Sequence, residues 1–181
     1  PGGEVNLYGG TVRSNPANSE TRSAGGAVAV NGGAFNLYGG TVQGCPVSGN
    51  GGTIQVKGTA DASGSFTAAG GQVIAGTAGK NGNCVCVEQD GHVVLTADAT
   101  IDEIFFTESS AELLTVTGRY TGTVALKYPE AVTLTELTDI GNSLSGDVSG
   151  ATIRFADLPD KTAAVKDGDL VVSGSSLTYG H

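Results

Sequence analysis

A twelve-residue block that recurs at a fixed offset restricts this chain to repeat architectures. Residues 2–13 read Gly-Gly-Glu-Val-Asn-Leu-Tyr-Gly-Gly-Thr-Val-Arg, and residues 32–43 read Gly-Gly-Ala-Phe-Asn-Leu-Tyr-Gly-Gly-Thr-Val-Gln, 30 positions later. A weaker copy, Gly64-Ser65-Phe66-Thr67-Ala68-Ala69-Gly70-Gly71-Gln72-Val73, follows at an offset of 31, and a faded one spans Val93 to Ile101. A period in this range is the mark of a solenoid, in which each unit buries its apolar face only against its neighbours.

Between the copies lies a second motif, Ala27-Val28-Ala29-Val30, then Thr53-Ile54-Gln55-Val56, then Cys84-Val85-Cys86-Val87. Its apolar residues alternate with period two, which fits a pleated strand and not a helix, where spacings of three and four are required. Each repeat thus offers three short strands, of the Val28-x-Val30, Phe35-x-Leu37 and Thr41-Val42 types. The expected inward residues are Val5, Leu7, Val28, Val30, Phe35, Leu37, Val42, Ile54, Val56, Phe66, Val73, Val85 and Val87. The glycine pairs fall at the turns, where positive φ or close backbone approach excludes other residues. The fold expected is all-β, a right-handed single-stranded parallel β-helix of five or six coils.

The glycines thin out along the chain, with 20 of 30 before residue 81. Charge shifts too: residues 1–80 carry a balance of +1, and the remainder carries −10 of the formal −9 total. One solenoid domain over 1–181 is expected, with regular coils over 1–80 and less regular acidic coils and a cap over 81–181. In the acidic half, strands are expected at His92–Thr96, Glu103–Thr107, Leu113–Thr117, Thr123–Lys127, Ala131–Leu134, Ala151–Phe155 and Leu170–Val172. Turns at Thr121-Gly122, Tyr128-Pro129, Gly141-Asn142 and Leu158-Pro159-Asp160 separate them, and only Asp157 to Val165 suits a helical turn. Acidic side chains near an open sheet edge protect it from pairing and aid solubility.

The run from residue 25 to 44, with its Gly-Gly-x-Val-x-Val start and Phe-Asn-Leu-Tyr-Gly-Gly-Thr-Val centre, resembles the right-handed parallel β-helix repeats of large surface proteins from Gram-positive gut bacteria. Such repeats are described as adhesin-like or pectate-lyase-like. The likeness extends over residues 2–101 and more loosely through Glu112 to Gly118. It implies an extracellular or cell-surface setting and a glycan or host surface protein as partner. The Pro1-Gly2-Gly3 opening, inside a repeat, suggests a piece of a longer precursor.

Net negative charge argues against nucleic acid, which needs clustered Lys and Arg. No run of 18 apolar residues is present for membrane insertion. Neither a dinucleotide nor a phosphate-loop motif occurs, and no cofactor is expected. Cys45, Cys84 and Cys86 lack the paired-ligand spacing of a zinc site, so no metal is expected. With Val85 and Val87 inward, Cys84 and Cys86 should face out, and Cys45, roughly 10 Å away by strand spacing, lies beyond disulfide reach. Both histidines, His92 and His181, lack a nucleophile motif beside them.

Three functions remain open. The first is a non-enzymatic structural or adhesive module. With Leu7 and Leu37 inward, Tyr8 and Tyr38 face out one coil apart, beside Asn6 and Asn36. Exposed rings flanked by amides can stack on sugar faces while bonding hydroxyls. Alternatively these residues stack and ladder only to stabilise the coil. The second is a carbohydrate-active enzyme, for which Asp98, Asp102, Glu103 and Glu108 are the clustered carboxylates, although Asp102 and Glu103 should point to opposite faces of a strand. The third is a fibre subunit that associates head to tail through its coil ends.

Overall fold

A computed structural model describes residues 2–14, 23–108, 113–128 and 146–154, together with the backbone of 155, 162–165, 170–173 and 176–179. The sites named at His181, Ala131–Leu134, Gly141-Asn142 and Leu158-Pro159-Asp160 lie outside the described residues. The chain is a parallel β-solenoid of about 4 turns, fewer than the five or six expected.

One face of the solenoid is a five-stranded parallel sheet made of β1 (Gly3–Leu7), β4 (Gly33–Leu37), β8 (Gly64–Ala68), β12 (Gly91–Ala97) and β14 (Leu114–Tyr120). Its register follows the sequence repeat: Gly3 opposite Gly33, Val5 opposite Phe35, Leu7 opposite Leu37, then Phe35 opposite Phe66 and Phe66 opposite Val93. A second face stacks β2 (Thr11–Arg13), β5 (Thr41–Gln43) and β9 (Gln72–Ile74), and a third stacks β3 (Val28–Asn31), β7 (Ile54–Lys57) and β11 (Val85–Val87). Between these two faces, a corner strand pair joins β6 (Pro46–Val47) to β10 (Thr77–Ala78). These coils therefore have the three strands that the alternation predicts.

Downstream the coil contracts. Strand β13 (Thr100–Phe106) pairs with β9 at Thr100 and Ile101 and with β11 at Ile104 to Phe106, so a single strand crosses both faces and the corner disappears. A register shift between Ile101 and Ile104 accommodates the change. The offset between equivalent residues falls from 31 (Phe35 to Phe66) to 27 (Phe66 to Val93) and 21 (Val93 to Leu114). Next come β15 (Thr123–Lys127) and β16 (Thr152–Phe155), still parallel. Then β17 (Thr162–Val165) pairs antiparallel with β16, and β18 (Leu170–Ser173) antiparallel with β19 (Ser176–Tyr179), which lies parallel to β17. Residues 162–165 are thus strand, where a helical turn was expected. A reversed strand ends parallel stacking along that edge, as edge protection requires.

The interior is filled by like residues in register. Val42, Val73, Ile101, Val124 and Ile153 form one buried column, and Phe35 stacks on Phe66 with centroids 5.6 Å apart. The contracted coils close on aromatic packing: Phe106 stacks on Tyr128 at 5.1 Å, and buried Tyr120 donates its hydroxyl to the Ala99 carbonyl at 2.9 Å. Val5 departs from expectation. It occupies the interior column but is 61% exposed, because β1 is an edge strand and, among the described residues, pairs on one side only, where Val5 meets Phe35. Val28 is likewise only partly buried.

The glycine pairs form a column as well. Gly10, Gly40 and Gly71 have φ of 84°, 89° and 74°. A Cβ on Gly40 would lie 2.4 Å from the Gly10 carbonyl oxygen, and one on Gly71 would lie 2.5 Å from that of Gly40. Those oxygens accept the Thr41 and Gln72 amides at 2.8 and 2.9 Å, so the turn must be both left-handed and bare.

Candidate functional site

Alternation along β1 and β4 sends Glu4, Asn6, Asn36 and the following tyrosines outward, opposite to the buried Leu37 and Phe35. Parallel in-register pairing then places Asn6 beside Asn36. The Asn36 side-chain amide donates to Asn6 Oδ1 at 2.9 Å and to Glu4 Oε1 at 3.1 Å, and Asn6 donates to the same Glu4 oxygen at 3.1 Å. An amide ladder of this kind forms because each rung repeats the donor and acceptor of the rung before it. The ladder ends at Thr67, the partner of Asn36 in β8. Glu4 completes the group, and sequence reasoning did not assign it a role, although its spacing of two from Asn6 puts both on one face.

Tyr8 and Tyr38 follow at the ends of these strands. Their rings stack with centroids 4.9 Å apart and an interplanar angle of 10°. They remain 75% and 45% exposed, and with Val5 they are the large apolar side chains exposed among the described residues. Stacking occupies one face of each ring. The hydroxyls, the ring edges and the outer face of Tyr8 stay open, beside a ladder in which both N–H groups of Asn36 are engaged and Asn6 retains one. The four residues singled out from sequence are therefore brought together on one outward surface.

The carboxylates are arranged differently from the sequence expectation. Asp102 and Glu103 do not point to opposite faces. The register shift at this point of β13 breaks the alternation, and both reach the corner spanning residues 75–83, where no described strand pairs beyond β10. Asp102 Oδ2 accepts the Ala75 amide at 2.8 Å, and Glu103 Oε1 accepts the Asn83 amide at 3.3 Å. They substitute for the backbone carbonyls that another corner strand would supply. Asp98 is exposed at the turn after β12. Glu108 lines a polar cleft of about 430 Å³ with Asp90 and His92, and His92 Nε2 lies 3.0 Å from Thr115 Oγ1 on the next coil. Among the described residues no group of three or more His, Cys, Asp or Glu side chains is placed to hold a metal ion.

Cys84 and Cys86 are both buried, Cys84 turning inward where an outward position was expected, and all three cysteines are free thiols. Cys84 precedes β11, so strand alternation does not reach it; it turns into the core, where its Sγ approaches the Val73 carbonyl at 3.5 Å. Cys86 does lie on the outer side of β11, between Gln55 and Phe105 in register, and both of these are themselves buried. Burial pushes the Cys84 thiol up to about 12, with the Asp102 and Glu103 charges acting in the same direction and backbone hydrogen bonds from these two residues opposing. Burial, then the charges of Glu88 and Glu103, push Cys86 up to about 12. A thiol in such a setting is a poor nucleophile.

No protein-family model, curated protein or solved structure matches this chain. The resemblance of residues 25–44 to bacterial surface repeats rests on those residues alone.

Proposed function

We propose that the chain is a non-enzymatic structural and adhesive module of a bacterial surface or secreted protein, and that it binds glycan on the outer face of β1 and β4. The stacked, exposed pair Tyr8 and Tyr38 carries this reading. Aromatic surface left in water at 75% exposure forgoes burial worth roughly 25 cal/mol per Å², and such surface commonly marks a binding place. A sugar offers C–H groups for the ring and hydroxyls for the amides, and Asn6 and Asn36 are held rigidly by Glu4, which lowers the entropy lost on binding. The adhesive role and the surface setting come from the sequence resemblance.

A glycan array probed with the wild-type chain and with Tyr8→Ala/Tyr38→Ala tests this. Binding by the wild type that the double variant loses while still folded by circular dichroism supports the proposal. Unchanged binding, or none by the wild type, refutes it. If the rings serve only the coil, the double variant loses about 0.5–1.5 kcal/mol of stability and nothing else.

A further inference from the structure

The third face of the solenoid carries a cleft that is independent of the tyrosine surface. On its floor, β3 and β7 lie in register, Ala29 opposite Gln55 and Asn31 opposite Lys57, so these four residues share the outward side. Its wall is the stack of successive corner loops, where the Lys80 amide donates to the Gly49 carbonyl at 3.1 Å and the Asn81 amide to Asn50 Oδ1 at 3.2 Å. The space enclosed is about 330 Å³, and Lys57, Lys80, Asn31, Asn50 and Gln55 line it. The fold thus gathers the two lysines of residues 1–80 into one concavity.

Among the described residues no carboxylate lines the cleft, and the ion pair they form is between Arg119 and Asp147. The acidic group that touches the lining is Glu88. Its Oε1 accepts the Asn50 amide at 3.0 Å and also that of Gln55, which fixes both side chains and leaves each a second N–H. Two ammonium groups with amide donors between them attract an anion, most strongly where walls limit solvent screening. The cations among the described lining residues are lysines, compact point charges that do not demand the planar bidentate geometry of a carboxylate.

We propose that this cleft binds a tetrahedral oxyanion, the sulfate or phosphate group of a small polar ligand, held between Lys57 and Lys80 with Asn31 and Asn50 as supporting donors. The experiment is an NMR titration of the whole chain in ~0.15 M sodium chloride, using inorganic sulfate, inorganic phosphate, galactose 6-sulfate and glucose 6-phosphate, with acetate as the planar control. The expected result is saturable shifts at Lys57, Lys80 and the Asn31 and Asn50 amides, stronger than with acetate. Lys57→Met and Lys80→Met, which keep the apolar stems, should each weaken binding about five- to tenfold. Lys80→Arg and the remote Arg119→Met should leave it within about twofold. Tighter binding of the sugar esters than of the bare ions assigns the ligand as esterified, and equal affinity assigns the free ion; both support the proposal. Shifts no larger than acetate produces, or binding indifferent to Lys57→Met and Lys80→Met, overturn it. Tyr8→Ala/Tyr38→Ala leaves these shifts unchanged, so failure here and failure of glycan binding at the tyrosines are separately visible.

Discussion

Three chemically identical substitutions, Gly10→Ala, Gly40→Ala and Gly71→Ala, should have unequal effects, and the inequality measures how closely the coils approach. All three positions have left-handed φ, between 74° and 89°, which a side chain tolerates at a cost of about 1–2 kcal/mol. For Gly10 that is the whole cost, since no atom lies within 4 Å of an added Cβ. At Gly40 and Gly71 the Cβ would also sit 2.4 and 2.5 Å from a carbonyl oxygen of the preceding coil. Both atoms belong to backbone, so neither can rotate away, and relieving the overlap disturbs the Thr41 or Gln72 hydrogen bond made to that same oxygen. Overpacking of this kind adds about 1–3 kcal/mol. The totals become about 1–2 kcal/mol for Gly10→Ala and about 2–5 kcal/mol for the other two. With a urea slope of about 2 kcal/mol/M, the midpoint followed by circular dichroism falls by about 0.5–1 M for Gly10→Ala and by about 1–2.5 M for Gly40→Ala and Gly71→Ala. Equal losses at Gly10 and Gly40 would refute the close approach and leave backbone strain as the sole cause.

Two further outcomes follow from the corner and the core. Asp102→Ala removes the acceptor of the Ala75 amide, so hydrogen exchange at Ala75 should accelerate and stability fall by about 1 kcal/mol, while the Ala78 amide, held by Asn83 Oδ1, keeps its protection; unchanged exchange at Ala75 contradicts the capping role. The raised thiols give an alkaline dependence: the folded chain keeps protons on Cys84 and Cys86 that the unfolded chain releases, so stability is full below about pH 9 and declines toward pH 12. Urea midpoints at pH 8 and pH 10.5 test the sign, and a native chain whose Cys84 and Cys86 react rapidly with iodoacetamide at pH 8 would disprove the burial argument.

The regular coils were legible because their information is periodic. The offsets of 30 and 31 between the glycine-flanked blocks are the register shifts of β1, β4 and β8, and the alternation at Val28 to Val30 and Ile54 to Val56 gave the third face. The juxtaposition of Asn6 with Asn36 and of Tyr8 with Tyr38 followed from the same offset. What the repeat could not convey was its breakdown. Strand β13 takes over two faces at once, and no local residue pattern announces that; once the corner was lost, the roles of Asp102 and Glu103 changed with it. Cys84 was misplaced because alternation was carried one residue past the strand, whereas Cys86 takes the outward position that alternation gives it and is buried there beside Gln55 and Phe105. The lysine cleft was hidden for a different reason, since Lys57 and Lys80 meet only through the stacking of corner loops.

The narrowing from 31 residues per turn to 21 gives the molecule a direction. A wide rung laid on a narrow one would match along the five-stranded face but leave the corner strands without partners, with unpaired amides and carbonyls on both sides. The stack is thus polar along its axis: corner pairing holds the wide coils to one another, a single crossing strand replaces it in the narrow ones, and a coil of one width finds its full set of partners only in a coil of similar width.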